Sequence, residues 1–323
     1  MIGIGVLFAK YPPLAKTAYN FMLASTDKIA SEEGKVNILI MGKSGGSRDG
    51  ADLTDTMILA SVSLDAPGIK MVSIPRDIWI SEIRAKINSA YFWGKTGSPY
   101  FSSRQTGGGI SFAKKIVGEI IGQPVQYGVV IDFSSFEDIV NALGGIEVDV
   151  ENGFTDKLYP IEGREDDTCQ GDVNFACRYE IVTFDPGLQV MDGNRALKFV
   201  RSRHAEGDEG TDIAREARQQ KVIGAMKDKA TQPKVFLSPK TGLAILGIVK
   251  KYVETDIDLP VAGALARFTL DGSKSITQFL IPENLLVNPP ISKTYDNLYV
   301  FIPKAGNGNW EEINNWFTST LKN

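Results

Sequence analysis

The chain is poor in the side chains on which much enzyme chemistry depends. Its 323 residues include one histidine, His204. Histidine supplies many zinc ligands and the base of a serine triad, so one copy excludes most histidine-based zinc sites and leaves any triad dependent on one residue. Positive charge is not in excess either, because the net charge is −4 at pH 7. This balance argues against a general nucleic-acid-binding protein, and we expect no nucleic acid among its partners.

Cysteine is nearly as scarce as histidine. Cys169 and Cys177 are the only two, and they lie in one polar segment. Two cysteines alone make a poor metal site, so we predict a disulfide, which indicates an oxidising, extracytoplasmic location. The alternative is a pair of free thiols in a cytosolic protein.

The amino-terminal segment lacks a long apolar run. Its sequence, MIGIGVLFAKYPPLAK, contains a short apolar stretch that Lys10 and the pair Pro12 and Pro13 interrupt. This stretch is too short to span a bilayer and makes a poor signal peptide. We interpret residues 1–35 as a helical lead-in, with the end of a membrane anchor as the alternative.

What the chain does have is an alternation of strand and helix patterns. A mainly apolar run at 36–41 (VNILIM) is typical of a buried strand, a broad apolar face over 107–122 predicts a helix, and runs at 125–131 and 146–150 predict further strands. The alternation predicts a three-layer α/β/α sandwich around a mixed central sheet. We place this domain at 36–230, with a surface insertion at 151–190, and expect a smaller C-terminal α/β extension over 231–323.

The strongest functional signal is an arginine-rich segment over residues 192–220. Its arginines are Arg195, Arg201, Arg203, Arg215 and Arg218. In an extended strand Arg201 and Arg203 point to the same side, because strand side chains alternate. Thr211 is predicted to cap the helix that follows. At helical spacing one face of that helix carries Asp212, Arg215, Gln219, Ile223 and Met226.

That helix face is polar for two turns and then apolar, so we expect it to face the core. Arginine on a core-facing stripe needs an anionic partner. The structural alternative is a set of salt bridges to Asp208, Glu209 or Asp212. Several converging arginines favour a polyanionic ligand instead, because guanidinium groups bind phosphate in a bidentate manner.

Carboxylates follow the first strand. Asp49, Asp52 and Asp55 lie within one stretch of seven residues. Oxygen ligands of this kind suit Mg²⁺, which binds one or two carboxylates together with substrate phosphates. An ordinary turn is the alternative for any one of them, but Asp55 directly precedes a strand and so lies on a rigid element.

Two further loops bear on phosphate binding. Gly42, Lys43 and Ser44 resemble the end of a phosphate-binding loop, but the four residues before them belong to a strand, so we reject a nucleotide site. Arg76 and Asp77 follow a strand that a proline ends, at the sheet edge where α/β folds place their sites. The alternative is a surface arginine–aspartate pair.

Taken together, the motifs resemble the LytR-CpsA-Psr family of cell-wall polymer ligases. The motifs that carry the resemblance are DLTDTMIL (52–59), SIPRDIWI (73–80), KINSAY (86–91), VVIDFSSFEDIVNALGGIEVDV (129–150), and MDGNRALKFVRSRH with REARQQ (191–220). They occur in the family's order, which makes the resemblance far more specific than any one motif.

The resemblance implies an Mg²⁺-dependent phosphotransferase. Its expected partners are a glycopolymer on a polyprenyl-pyrophosphate carrier, the peptidoglycan that receives it, and the membrane surface on the extracytoplasmic side of the cell. Asp55 is then the metal-binding aspartate, and Arg76 contacts the pyrophosphate. The rest of the pyrophosphate site is expected to comprise Arg201, Arg203, Arg215 and Gln219, with Arg218 beside them. Asp77 is a candidate general base for the attacking hydroxyl, with a structural carboxylate as the alternative.

The chain departs from the family pattern in two places. The aspartate expected after the glycine of the first strand is missing, since Lys43 and Ser44 follow Gly42, and Leu53 stands where the family has an arginine. Asp49 or Asp52 is the candidate replacement carboxylate, and Arg48 the candidate cation. Two alternative functions stay open, a polyprenyl-pyrophosphate hydrolase and a non-catalytic binder of lipid-linked cell-wall precursor.

Overall fold

The apolar run at 36–41 forms a central strand, as its pattern predicts. The computed structural model describes residues 29–43, 51–66, 68–97, 107–133, 135–236, 238–272 and 275–322. The strands are β1 (Lys35–Lys43), β2 (Thr54–Ser63), β3 (Ile69–Ser73), β4 (Trp79–Ile80), β5 (Ala85–Lys86), β6 (Tyr127–Asp132), β7 (Ile146–Val150), β8 (Phe154–Pro160), β9 (Tyr179–Phe184), β10 (Gly187–Met191), β11 (Val253–Thr255), β12 (Ile276–Leu280), β13 (Leu286–Val287) and β14 (Ile302–Pro303). The helices are α1 (Ala90–Thr96), α2 (Gly109–Ile121), α3 (Ser135–Ala142), α4 (Gly193–Arg201), α5 (Asp212–Thr231), α6 (Pro233–Phe236), α7 (Pro239–Tyr252), α8 (Leu259–Gly272) and α9 (Glu311–Lys322).

The chain folds as two units. The first combines residues 1–133 with residues 252–323, and the second comprises residues 134–251. The first unit contains a six-stranded sheet in the order β11-β6-β1-β2-β3-β12. In this sheet β1 is parallel to β6 and β12 is parallel to β3, while β2 and β11 run antiparallel to their neighbours. The sheet is therefore mixed, as predicted.

Helices cover both faces of this sheet. On one face the buried Leu39 packs in one cluster with side chains of α2 and α9, including Phe317. On the other face Val36 and Ile38 pack with Ala264 and Leu265 of α8. Burial of each large apolar side chain contributes about 1.5–3 kcal/mol. Both faces of β1 are thus buried, which explains why apolar residues predominate in its sequence.

The C-terminal residues do not form a separate extension. The predicted α/β composition of residues 231–323 is confirmed, since they contain the helices α7, α8 and α9 and the strand β12. However, β11 pairs with β6 and β12 pairs with β3, so residues 252–323 complete the central sheet. The predicted boundary at 230 is therefore wrong for these strands, because their partners lie far away along the chain.

The second unit is built on an aromatic core. Phe154 of β8, Phe184 of β9 and Phe199 of α4 are buried, with ring centroids 5.0–5.9 Å apart. β8 pairs antiparallel with β9, and β7 with β10. Residues 151–190 were predicted to be a surface insertion, but they supply two of these three rings. The segment is part of the unit's core.

The contacts around the start of α4 explain two motif residues, Asp192 and Gly193. Gly193 begins α4, and a Cβ atom there would lie 2.3 Å from the backbone oxygen of Glu137 in α3. The Gly193 N–H donates to the side chain of Asn141, and Asp192 caps the helix by accepting from the N–H of Arg195. A glycine at this point lets α3 and α4 pack closely.

Little of the predicted lead-in over 1–35 can be placed, because residues 1–28 lie outside the described residues. Ile29 is buried with Val36 and Tyr127 in the first unit. Of the helices in the described part of the chain, none has both the length and the apolar character needed to cross a membrane.

Candidate active site

Several strand ends of the first unit meet at one edge of its sheet. β1 ends at Lys43 and the parallel β6 ends at Asp132, while the antiparallel β2 begins at Thr54. Arg76 and Asp77 follow the carboxyl end of β3 at this same edge. The chain topology therefore gathers charged residues where α/β folds commonly bind ligands.

Asp55 lies at this edge, as the second residue of β2. Its side chain is 42% exposed, and Oδ1 lies 3.2 Å from Nη1 of Arg76. The same oxygen accepts a hydrogen bond from Nδ2 of Asn88 at 3.2 Å. The structure thus brings together Asp55 and Arg76, which the sequence placed in one site.

Asn88 is a residue of this site that the sequence analysis did not single out. It is 8% exposed, and its backbone carbonyl accepts from the Thr54 hydroxyl at 3.0 Å. Its backbone N–H donates to the carbonyl oxygen of Arg76 at 3.3 Å. Asn88 therefore joins the start of β2 to the loop that carries Arg76. Its place in the KINSAY motif was the only available signal.

Both oxygens of Asp77 are engaged by cations. Lys86 Nζ lies 2.6 Å from Oδ1, and Arg76 Nε lies 3.6 Å from Oδ2. Asp77 was predicted either as a general base or as a structural carboxylate beside Arg76. The geometry favours the structural role, in which Asp77 orients the Arg76 guanidinium toward Asp55.

Asp52 is held by two lysines. Lys43 Nζ donates to Oδ1 at 2.7 Å and Lys95 Nζ donates to Oδ2 at 3.2 Å. Partial burial alone would raise the pKa of Asp52, but the lysine hydrogen bonds and charges outweigh it and hold the pKa below its ordinary value. Asp52 is therefore an ionised carboxylate whose two oxygens are already occupied.

The three predicted metal ligands differ in how well they fit Mg²⁺. Asp55 fits, because a single exposed carboxylate can share the ion with substrate phosphates, and no described residue donates to its Oδ2. Asp52 does not fit, because an ion would have to displace a lysine from it. Asp49 lies outside the described residues.

Metal binding elsewhere in the described ranges is not supported. The one candidate group there comprises Asp167, Cys169 and Cys177. The two sulfurs are joined in a disulfide with an S–S distance of 2.02 Å, so they are not available as thiolate ligands. The disulfide is the pairing expected from the sequence.

In the second unit, Arg201 and Arg203 do not lie in a strand. Arg201 is the last residue of α4, and Arg203 lies in the irregular segment after it. The prediction of an extended chain was wrong because the apolar residues before Arg201 follow the period of a helix. Both arginine side chains are exposed.

A buried carboxylate fixes the backbone of this segment. Asp156 of β8 is 0% exposed, and its Oδ2 accepts from the N–H groups of Arg203 at 3.1 Å and His204 at 3.3 Å. Its Oδ1 accepts from the N–H of Leu158 at 3.0 Å. Nothing in the sequence singled out Asp156, since one aspartate in a strand pattern gives no local signal.

Arg218 is a structural residue in this arrangement. It is 4% exposed, donates to the backbone oxygens of Phe199, Ser202 and Glu209, and also pairs with the Glu209 carboxylate at 2.8 Å. Its guanidinium lies 4.6 Å from the centre of the Phe154 ring. Its predicted contact with pyrophosphate is therefore not supported, because its donors are used inside the fold.

The prediction of a core-facing stripe on α5 is confirmed for Met226, which packs against the buried cluster of this unit, and is wrong for Ile223. Thr211 caps this helix as predicted, with its hydroxyl accepting from the N–H of Ala214. The buried face carries Arg218 and Val222, whereas Ile223 is 65% exposed. Arg215, three residues before Arg218, is half-buried at the border of this face, and Gln219 is exposed. Their accessibility suits ligand binding better than the predicted orientation did.

The fold and these residues define an α/β protein with guanidinium groups suited to an anionic ligand and a carboxylate suited to a metal ion. The chain belongs to the LytR_cpsA_psr family, whose sequence model matches residues 14–314. The resemblance drawn from the motifs is thereby confirmed.

Named relatives include two teichoic acid transferases. The chain is 27% identical over 259 residues to the polyisoprenyl-teichoic acid–peptidoglycan teichoic acid transferase TagU of Oceanobacillus iheyensis, covering 79% of this chain and 69% of that protein. It is 29% identical over 198 residues to the transferase TagT of Bacillus subtilis, covering 60% and 52% respectively. The chain thus spans about half the length of TagT.

Solved structures agree on the fold. The gbs0355 protein of Streptococcus agalactiae aligns with a TM-score of 0.57 at 23% identity, covering 89% of this chain and 88% of that one. A structure described as TagT bound to LI-WTA aligns with a TM-score of 0.53 at 21% identity, covering 93% and 97%. At these identities the likeness concerns the fold alone.

Proposed function

We propose that this protein transfers a glycopolymer from a polyprenyl-pyrophosphate carrier to peptidoglycan. The proposal rests chiefly on one observation. Asp55 pairs with Arg76 at the sheet edge and accepts a hydrogen bond from the buried Asn88. The names of the relatives, which are teichoic acid transferases, support the same reaction class.

The proposed reaction is a phosphoryl transfer. A sugar hydroxyl oxygen of peptidoglycan bonds to the phosphorus that carries the glycopolymer, and the bond from that phosphorus to the bridging oxygen breaks. Polyprenyl phosphate leaves with the bridging oxygen, and the hydroxyl proton passes to solvent or to a carboxylate. Such a reaction depends on positioning and on charge neutralisation more than on a covalent enzyme intermediate.

The chain's own residues have distinct proposed roles. Arg76 binds a phosphate oxygen while Asp77 fixes its orientation. Arg201 and Arg203 bind the pyrophosphate, assisted by Arg215 and Gln219. Asp55 would hold Mg²⁺ together with the phosphates, and the ion would supply charge neutralisation on the leaving group.

The location follows from the proposed substrates. The lipid carrier resides in a membrane and peptidoglycan lies outside it, so we place the protein at the membrane surface on the extracytoplasmic side of the cell envelope. The disulfide between Cys169 and Cys177 supports an oxidising compartment.

A second function, non-catalytic binding of a lipid-linked precursor, is favoured by one observation. Asp52, a candidate metal ligand, is occupied by Lys43 and Lys95. A binder would retain a synthetic polyprenyl-pyrophosphate sugar without Mg²⁺ and release no polyprenyl phosphate. A hydrolase would release polyprenyl phosphate without any glycan acceptor.

The deciding experiment measures release of polyprenyl phosphate from that lipid, with and without Mg²⁺ and with and without peptidoglycan. We expect that release needs both Mg²⁺ and peptidoglycan. The rate of release should fall about 10²-fold in Arg203→Ala, the magnitude typical of removing one group that stabilises developing charge. Lys157→Ala is the matched control, since Lys157 is an exposed cation of the same unit in a surface pair with Glu206. Full activity in Arg203→Ala would refute the assignment of that residue, and release without acceptor would replace transfer by hydrolysis.

A further inference from the structure

Lys43 occupies an unusual position between carboxylates. Its Nζ lies 2.7 Å from Oδ1 of Asp52 and 3.8 Å from Oδ2 of Asp132. The Lys43 side chain is only 18% exposed, and those of Asp52 and Asp132 are 25% and 17% exposed. A cation shared by two partly buried carboxylates is the charge arrangement that a bound metal ion would otherwise supply.

The backbone directs Lys43 to this place. Lys43 is the last residue of β1 and lies opposite Asp132 in the parallel pairing with β6. The pairing of β1 with β2 shifts register between Gly42 and Lys43. Such an irregularity re-aims the side chain that follows it. The ammonium group is therefore positioned by the sheet rather than by a flexible loop.

Neighbouring groups hold the arrangement together. Lys95 binds the second oxygen of Asp52, and the Lys43 and Lys95 ammonium groups each lie 5.9 Å from the centre of the Tyr91 ring. The Tyr91 hydroxyl donates to Glu254 at 2.5 Å, which fixes the ring. Because each oxygen of Asp52 has its own lysine, a divalent ion can reach this carboxylate only by breaking an ion pair.

We infer that the Lys43 ammonium is the resident cation between Asp52 and Asp132, and that it excludes a divalent metal ion from this place. The inference goes beyond the proposed function, because it concerns which cation this part of the sheet edge holds, whatever reaction takes place there. Any Mg²⁺ used by the protein is then held without Asp52.

The test is a titration of the full chain with Mn²⁺, followed by water proton relaxation or calorimetry, which reports metal binding without any substrate. We expect wild type and Asp52→Asn to give the same isotherm. Lys43→Met keeps most of the side-chain bulk but removes the charge, and it should bind one more Mn²⁺ than wild type. Lys43→Arg keeps the charge and should not gain that ion.

Two results would overturn the inference. Weaker Mn²⁺ binding in Asp52→Asn than in wild type would show that Asp52 is a metal ligand after all. An unchanged isotherm in a folded Lys43→Met, checked by its thermal transition, would show that Lys43 excludes nothing. If Lys43→Met does not fold, the comparison of wild type with Asp52→Asn still decides whether Asp52 binds metal. Because the readout is binding, failure of the proposed transferase activity leaves this result intact.

Discussion

The side-chain amide of Asn88 lies 3.2 Å from the carboxylate of Asp55, and this contact links a buried residue to an exposed one. Asn88 is 8% exposed and is fixed by its own backbone bonds to Thr54 and Arg76. The orientation of Asp55 is therefore set from inside the fold. A carboxylate that is to hold a metal ion gains from such support, because its side chain is already oriented before the ion binds.

Replacement of Asn88 by alanine should impair activity as well as stability. Asn88→Ala removes the amide that orients Asp55 but keeps the backbone carbonyl that accepts from Thr54. We expect the free energy of unfolding to fall by about 1–3 kcal/mol, the cost of losing a buried hydrogen bond. The rate of polyprenyl phosphate release should fall about tenfold or more, as is typical of residues that support a metal ligand.

Ser89→Ala is the matched control for this variant. Ser89 is also 8% exposed, and its hydroxyl donates to the carbonyl of Lys86 at 2.7 Å without contacting Asp55. Urea denaturation should show a similar loss of stability in both variants, while only Asn88→Ala loses activity. Equal activity in the two would mean that Asn88 has no role beyond packing.

Asp156 is expected to control the arginine segment through the backbone. Its carboxylate accepts from the N–H groups of Leu158, Arg203 and His204. Asp156→Ala removes a buried acceptor and leaves three backbone donors without their partner, so we expect a loss of about 1–3 kcal/mol in unfolding free energy. Affinity for the lipid substrate should fall as well, because Arg203 is no longer held in place. Proteolysis at 202–206, followed by mass spectrometry, should be faster than in wild type, and unchanged proteolysis would contradict the role given to Asp156.

The sequence predicted local structure well where one pattern dominated. The strand predicted from the apolar run at 36–41, the Thr211 cap and the helix before Gly122 are all present, because each depends on residues close together in the chain. The motifs also assigned Asp55 and Arg76 to one site, and the two side chains are in contact. Their contact follows from the strand order, which places the start of β2 beside the end of β3.

What the sequence could not predict depends on distant partners. The helical period of α5 identified a face but not its direction, since the Arg218 guanidinium packs against Phe154, more than sixty residues earlier in the chain. Its salt bridge to the nearby Glu209 was foreseen as the structural alternative, and it is present. Likewise, the pairing of β12 with β3 joins residues about two hundred positions apart, for which no local pattern exists. Asp156 was missed for the same reason, because its partners Arg203 and His204 follow it by more than forty residues.

Arg218 and Arg203 should respond differently to the same substitution. Removing the buried Arg218 leaves Glu209 and three backbone oxygens without their donor, so Arg218→Ala should lose roughly 3 kcal/mol of unfolding free energy. Arg203→Ala, in which an exposed side chain is shortened, should change stability by less than about 0.5 kcal/mol. Urea denaturation of both variants measures this difference. A stable Arg218→Ala that has lost only substrate affinity would restore Arg218 to the pyrophosphate site.

The lowered pKa of Asp52 predicts a specific dependence of stability on pH. The ordinary value of 3.8 applies to the unfolded chain, and the lysine contacts place the folded value below it. A carboxyl group with a lowered folded pKa stabilises the fold above its unfolded pKa, and this contribution disappears as the pH falls through the folded pKa. Asp52→Asn should therefore be less stable than wild type at pH 7, and the two should converge in acid below the folded pKa. Urea denaturation across this range measures the convergence.

Asp166→Asn, which changes an exposed carboxylate of the second unit, is the control. The difference in its unfolding free energy from wild type should stay constant at every pH. A constant difference between Asp52→Asn and wild type at all pH values would show that the lysines do not stabilise the ionised form.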